Sequence, residues 1–135
     1  MNYFIHCLKN YANFSGRARR KEFWMFVLFS IVFSIIFSIL DSLLGTSYKF
    51  NYPLMGKEIP MSIGYMSSVS SLVLLVPSIA VGVRRIHDVG KSGWLYLVFY
   101  GLTIFCCVGI FPLIYFMVKA GDVGENLYGP DPKAY

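Results

Sequence analysis

The sequence predicts an all-α integral membrane protein with three transmembrane helices and an N-terminal amphipathic helix at the membrane interface. Three long stretches without any charged residue predict it: 23–40, 63–83 and 94–118. A helix needs about 20 apolar residues to cross roughly 30 Å of hydrocarbon. Hydrophobic residues make up 56% of the 135-residue chain, and a soluble domain of this length cannot bury so much apolar surface. The length fits a single polytopic domain, 1–135.

Residues 1–14 are predicted to form the amphipathic helix. Phe4, Leu8, Tyr11 and Phe14 recur at helical spacing, which suits a helix lying in the interface plane of a membrane. A helix docked on the rest of the protein fits the same pattern. The first 22 residues hold no apolar core followed by a small-residue cleavage site, so we expect the first span to be an uncleaved anchor.

The first predicted span, 22–44, carries a stripe of serines at intervals of four residues. Small residues let helix backbones approach closely in lipid, so we predict that this stripe packs against another helix; a polar conduit is the alternative. The serines of the stripe are Ser30, Ser34, Ser38 and Ser42.

A polar loop, 41–62, precedes the second predicted span, 63–83. The loop shows no strong periodicity, and Asp41 is expected at the far interface, where its carboxylate reaches water. Pro77 removes a backbone donor, so a kink is expected in the second span. A second small-residue packing face is predicted there, made by Ser71, Ser78 and Gly82.

The third apolar stretch, 94–118, is too short for two crossings, so we predict one tilted, kinked helix followed by a polar tail, 119–135. Eight of the twelve basic residues lie with the N-terminus and the 84–93 turn. The positive-inside bias therefore predicts that these two segments are cytoplasmic and, after three crossings, that the tail is on the opposite side. A re-entrant third segment would instead bring the tail back.

Three blocks of this sequence resemble the domain of unknown function 805 family of small bacterial inner-membrane proteins. Residues 16–24, G-R-A-R-R-K-E-F-W, resemble its entry to the first span. Residues 84–94, R-R-I-H-D-V-G-K-S-G-W, resemble its central turn, and residues 124–132, G-E-N-L-Y-G-P-D-P, resemble its tail. Ile86 stands where Leu is usual, and Leu127 where a basic residue is common. The resemblance implies an inner-membrane location and leaves the activity open.

The predicted function is that of a non-enzymatic module that binds anionic lipid or a membrane-protein partner. If the first two spans are neighbours, blocks 17–22 and 84–91 share one surface, where seven basic and two acidic residues sum to +5. Such a cluster attracts anionic headgroups by about 1 kcal/mol per basic residue. An ordinary topology anchor, with Glu22 paired to Arg84 or Arg85, is the plainer interpretation. The candidate binding residues are Arg17, Arg19, Arg20, Arg84, Arg85, His87, Asp88 and Lys91.

Two other functions stay open. One is a small oligomeric channel or transporter subunit with the serine faces lining a path, although the spans lack ionisable residues. The other is a membrane enzyme acting at His87 and Asp88. Two observations disfavour it: adjacent helical residues point about 100° apart, and the sequence places no nucleophile, second carboxylate or metal-ligand spacing beside them. We therefore assign no catalytic residue, metal or cofactor.

The expected partners are membrane lipids, further copies of the chain or a larger membrane protein, because one copy is too small to enclose a pore. Nucleic acid is not an expected partner, since the basic residues flank apolar spans rather than forming a basic domain.

Overall fold

The structure is a computed structural model that describes residues 11–54 and 56–132. The predicted interfacial helix lies mostly outside the described residues, and its last four positions, 11–14, form a turn and coil rather than a helix. The elements, in chain order, are α1 (Arg20–Leu44), β1 (Ser47–Leu54), β2 (Lys57–Gly64), α2 (Tyr65–Asp88), α3 (Trp94–Cys106) and α4 (Ile110–Val118).

Helices α1 and α2 are long and apolar enough to cross a membrane, with mean hydropathies of 2.6 and 1.9. At 1.5 Å per residue they measure about 37 and 36 Å. Helix α2 includes Pro77 and continues five residues past the predicted end of the second span, through the block 84–88. Apolar side chains along α1, such as Leu28, Ile31 and Ile39, are exposed, as expected for a helix that faces lipid.

The chain divides into two compact units, residues 1–28 with 76–135, and residues 29–75. Within the first unit, Gly82 of α2 lets the Tyr96 ring of α3 approach, since a Cβ at position 82 would overlap that ring. The buried apolar side chains of this unit include Ala18, Phe23, Phe26, Ala80, Val81, Ile86, Tyr96 and Met117.

The prediction of a polar loop without periodicity before α2 is wrong, because most of that segment forms an antiparallel β-hairpin. Strands β1 and β2 pair from Ser47 opposite Gly64 to Leu54 opposite Lys57. Gly56 has a φ of 79° in the connection, a left-handed conformation that glycine adopts without the steric cost of a Cβ. The hairpin belongs to the second unit.

Asp41, near the end of α1, caps the start of α2 within the second unit. Its carboxylate accepts hydrogen bonds from the backbone N–H groups of Met66 and Ser67 at 3.0 and 2.8 Å, and from the Thr46 hydroxyl at 2.7 Å. The first N–H groups of a helix have no partner inside the helix. The prediction that Asp41 reaches water is wrong: the residue is 2% exposed because these donors enclose it.

The apolar segment 94–118 forms two helices, so the prediction of one kinked crossing is wrong. Helices α3 and α4 are about 20 and 14 Å long, too short to cross roughly 30 Å of hydrocarbon. The chain reverses after Cys107, which has a φ of 58°. The ring centroids of Phe99 and Phe116 are 6.0 Å apart, whereas a continuous helix would separate these residues by about 25 Å. A helical hairpin of this kind is the shape that the re-entrant alternative predicts.

The polar tail consequently returns to the residues that precede α3. The backbone N–H of Asp122 donates to the carbonyl of Asp88 at 2.8 Å, and Arg17 donates to the carbonyl of Gly124 at 2.6 Å. Segments in direct hydrogen bond lie on the same side of a membrane. The prediction that the tail lies opposite the N-terminal block is therefore wrong, because α3 and α4 double back.

We predict that reporters fused to the two ends of the chain will lie on the same side of the membrane. Green fluorescent protein, which fluoresces when it folds in the cytoplasm, should fluoresce at either end, and alkaline phosphatase, active in the periplasm, should be inactive at both. A phosphatase inserted at Gly56 is the control and should be active. Opposite readings from the two ends would contradict the re-entrant arrangement.

Candidate functional site

Asp88, the last residue of α2, is shared by two buried arginines in the first unit. The Nε atom of Arg17 lies 3.0 Å from one carboxylate oxygen, and the Nη1 atom of Arg85 lies 2.5 Å from the other. Each of the three side chains is at most 1% exposed. Because an unpaired charge is costly to bury, the carboxylate and the two guanidinium groups stabilise one another in this position.

The remaining N–H groups of Arg17 hold the tail. Its Nη2 donates to the Asp122 carbonyl at 2.5 Å, and its Nη1 donates to the carbonyls of Gly124 and Gly129 at 2.6 and 3.4 Å. Arginine has five donors in a planar fork and no acceptor, so one side chain can serve a carboxylate and several carbonyls together. Arg17 thereby joins α2 to a tail segment more than 100 residues away in the sequence.

Two arginines satisfy carbonyl groups at the end of α4. Arg85 donates to the carbonyls of Met117, at 3.4 Å, and Lys119, and Arg20 donates to that of Val118 at 3.1 Å. The last carbonyls of a helix lack partners inside the helix, and that end carries a partial negative charge. The arginines therefore stabilise the helix end and fix where the re-entrant hairpin returns.

Gly90 ends α2 in the left-handed conformation, with a φ of 68°. Its N–H donates to the His87 carbonyl at 3.0 Å, and the Lys91 N–H donates to the Ile86 carbonyl at 3.2 Å. This pair of bonds is the Schellman arrangement, which confirms the sequence-based prediction of a glycine at this position. The chain turns sharply enough for the tail to pass beside Asp88.

Gly121 is the point of closest approach between the tail and the ion pairs. A Cβ at this position would overlap the Asp88 carboxylate. The absence of a side chain lets the following residue, Asp122, form its main-chain hydrogen bond to Asp88.

His87 is held by three contacts beside the ion pairs. Its ring stacks on that of Tyr128, with centroids 4.0 Å apart and planes 4° from parallel. Its Nδ1 lies 3.2 Å from the Gly16 carbonyl, and its own carbonyl accepts from the Asn126 amide at 3.0 Å. The half-buried imidazole thus connects all three sequence blocks, while the neighbouring Asp88 takes different partners.

Arg84 pairs with Glu22 of α1, their closest charged atoms being 3.0 Å apart and both residues buried. Among the described residues, the Nε and Nη2 atoms of Arg84 have no hydrogen-bond partner. The backbone carbonyl of Arg84 accepts from the Ala18 N–H at 3.0 Å. The N-terminal block is therefore joined to α2 through both main chain and side chains.

The candidate binding residues divide by exposure. Arg20 and Lys91 are exposed, and Arg19 and His87 are half-buried. The buried members cannot present their charge to a ligand from the surface, since the ion pairs enclose them. These members are Arg17, Arg84, Arg85 and Asp88.

The predicted helix-packing faces fall in both units. Ser30, Ser34 and Ser78 are half-buried, and Gly82 is buried. The exposed members are Ser38, Ser42 and Ser71, which leave the packing of the serine stripe a prediction.

Sequence reasoning missed the role of the tail. Asn126, Tyr128 and the carbonyls of 122–129 complete the site, although each lies far in sequence from the residue it contacts. The signal that could have found them is the resemblance of the 124–132 block to the family's tail, which marks these polar residues as more than an unstructured end. The described residues contain no group of three or more His, Cys, Asp or Glu side chains placed to hold a metal ion.

The fold and the ion-paired site define a mostly helical membrane protein whose α3–α4 hairpin and tail are fastened to the arginine-bearing end of α2. A family model described as "Protein of unknown function (DUF805)" matches residues 11–130. The chain belongs to this family, as the resemblance of the three blocks indicates.

Two curated relatives cover almost the whole chain. "Inner membrane protein YhaH" of Escherichia coli strain K12 is 38% identical over 133 residues, 98% of each chain. "Inner membrane protein YhaI" of the same strain is 36% identical over 134 residues, 98% of this chain and 97% of the relative. No solved structure matches.

We predict that Asp88→Asn lowers the free energy of unfolding by about 3–5 kcal/mol, because Arg17 and Arg85 would keep their buried charges without a carboxylate. Denaturant unfolding in detergent micelles, followed by tryptophan fluorescence, measures the change. The matched control is Asp122→Asn, an exposed carboxylate, for which a change within about 0.5 kcal/mol is expected. Equal effects of the two substitutions would show that the shared carboxylate of Asp88 does not stabilise the contacts between α2, the N-terminal block and the tail.

Proposed function

We propose that this chain is a non-enzymatic module of the inner membrane that binds anionic lipid through exposed basic side chains beside the ion-paired site. The observation that carries the proposal is the division of charge at this site: three arginines are buried in ion pairs, while Arg20, Lys21 and Lys91 are exposed. Contacts of Gly16 with His87 and of Ala18 with Arg84 support a common surface for these exposed residues.

The position of Arg20 and Lys21 indicates that their charges serve something other than the stability of α1. They occupy the first turn of α1, where the positive end of the helix dipole disfavours cations. Their charge therefore does not stabilise α1. Anionic headgroups offer a favourable partner at this depth, since basic residues beside a span are attracted to the membrane surface.

The tail limits how positive this surface is. Asp122 and Glu125 are exposed carboxylates of the same unit, so the surface is less basic than blocks 17–22 and 84–91 alone predict. A mixed surface of this kind favours a few headgroups near Lys21 and Lys91 over a broad basic patch. A membrane-protein partner with an acidic surface is an outcome that the experiment below would also detect.

We predict that Lys21→Ala/Lys91→Ala weakens retention of phosphatidylglycerol. At about 1 kcal/mol per basic residue, the double change corresponds to an affinity about 30-fold lower. Native mass spectrometry of protein released from mixed phosphatidylglycerol and phosphatidylethanolamine membranes would measure it.

The charge-preserving variant Lys21→Arg/Lys91→Arg is the matched control and should retain lipid as wild type does. Unchanged retention in the alanine variant would overturn the proposal. If the alanine variant instead loses a co-purifying protein and keeps its lipid, the ligand of this surface is a protein partner and not lipid.

The second candidate is a channel or transporter subunit, which a cleft in the second unit favours. The cleft has a volume of about 780 Å³ and is lined by seven serines together with Lys49 and Asp41. Ser38 and Ser42 come from α1, whereas Ser67 and Ser71 come from α2. Hydroxyl groups along two candidate spans would suit a hydrated path for small polar solutes.

This candidate predicts solute flux in proteoliposomes that depends on the cleft. Swelling in glycerol or urea should be fast with wild type and Ser38→Ala/Ser71→Ala, and slow with Ser38→Leu/Ser71→Leu, because leucine would fill the cleft with apolar side chains. Absence of flux with the wild-type protein would exclude the candidate.

A further inference from the structure

The β1–β2 hairpin of the second unit has one apolar and one polar face. Side chains alternate between the two faces of a strand, and directly opposite residues share a face. Three successive cross-strand pairs on one face are apolar: Tyr48 with Ile63, Phe50 with Met61, and Tyr52 with Ile59.

Five of these six side chains are exposed in the part of the chain that the structure describes, and the sixth, Phe50, is half-buried. Tyr48 is 60% exposed, Ile63 51% and Ile59 41%, and Tyr52 and Met61 fall between 47% and 50%. A two-stranded hairpin is only marginally stable by itself in water. An alternating pattern of exposed aromatic and aliphatic residues therefore favours an apolar environment from outside the described residues.

The hairpin cannot move away from the ends of the two candidate spans. Strand β1 begins three residues after the end of α1, and α2 begins directly after β2. The Thr46 N–H donates to the Asp41 carbonyl, and the Tyr65 N–H to the Thr46 carbonyl, both at 3.0 Å. Together with the Asp41 cap on α2, these bonds fix the base of the hairpin at the ends of the two candidate spans.

The opposite face of the hairpin has a polar surrounding of its own. Ser47, Lys49 and Ser62 line the serine-rich cleft together with side chains of α1 and α2. Ile63 also borders that cleft near the base of the hairpin, whereas the other five apolar side chains do not line it.

We propose that the apolar face of the hairpin inserts into the lipid surface at the end of α1 and α2, at the boundary between headgroups and acyl chains. Tyrosine is enriched at this depth because its ring is apolar and its hydroxyl reaches water. The outer edges of the two strands carry unpaired main-chain groups, which must stay hydrated, so the hairpin lies at the interface and not within the hydrocarbon.

Two prolines disfavour a second copy of the chain as the occupant of the hairpin. Pro53 in β1 and Pro60 in β2 carry no N–H, and proline in a sheet hinders pairing with a further strand. The lipid surface is the apolar environment that the tether to α1 and α2 supplies without any further association.

Spin labels on the two faces would test this in liposomes. Single cysteines replace Tyr48, Phe50 or Met61 on the apolar face, and the matched controls replace Lys49, Asn51 or Ser62 on the polar face, all in a chain whose three natural cysteines are changed to serine. Oxygen, which partitions into lipid, and a water-soluble nickel chelate report the surroundings of each label. The ratio of oxygen to nickel accessibility should alternate along the strands and be several-fold higher on the apolar face.

Two outcomes would overturn the proposal. Equal, high nickel accessibility on both faces would place the apolar face in water. Protection of the apolar-face labels from both reagents, with spin–spin broadening between copies, would make a second copy the occupant. Tyr52→Trp in a chain with Trp24→Phe/Trp94→Phe is a conservative second probe that needs no spin label. Its fluorescence should be quenched by lipids brominated near the headgroup, and absence of quenching counts against the proposal.

Discussion

The carboxylate of Asp88 is the interaction on which the first unit depends. It is bonded to Arg17 before α1 and to Arg85 one turn earlier in α2. Each arginine uses its other donors on carbonyls near the end of the chain. One buried anion therefore determines where the N-terminal block, the end of α2 and the tail lie relative to one another. The re-entrant hairpin starts and finishes at this point, so its return is a consequence of the same ion pairs.

The ion pairs divide the basic residues into a buried group and an exposed group. In the sequence they form one positive cluster, which suits a binding surface. In the structure the pairs of Arg17 and Arg85 with Asp88, and of Arg84 with Glu22, make three of its seven basic residues internal. What remains for a ligand is a small set of exposed lysines and arginines on a rigid support. The buried pairs fix the positions of chain segments, whereas the exposed charges are the ones available to lipid.

The sequence predicted the parts of the fold that depend on composition. Helices α1 and α2 follow from long uncharged stretches, and the end of α2 follows from Gly90. The alternation of Tyr48, Phe50 and Tyr52 was present but short, and polar residues between them resemble a loop. Composition could not reveal the reversal after Cys107, because a turn within apolar sequence changes neither hydropathy nor charge.

The site was predictable only in part, because charged side chains are visible in a sequence and main-chain partners are not. Glu22 and Arg84 were recognised as a potential pair because opposite charges were expected at one membrane surface. The tail was not assigned to the site, since main-chain carbonyls carry no sequence signature. Asp41 was misplaced because its partners are the N–H groups of Met66 and Ser67, which any residue type supplies.

The order of synthesis gives the same arginines two successive roles. Arg17 is made 71 residues before its carboxylate partner and 107 residues before the Gly124 carbonyl. While α1 inserts, the guanidinium group of Arg17 is fully charged and without these acceptors, which is the state in which positive residues orient a span. The charge becomes enclosed only after α2, the re-entrant hairpin and the tail have been added. On the proposed topology, a charge that orients the first span early in biogenesis becomes a structural contact that closes the finished fold.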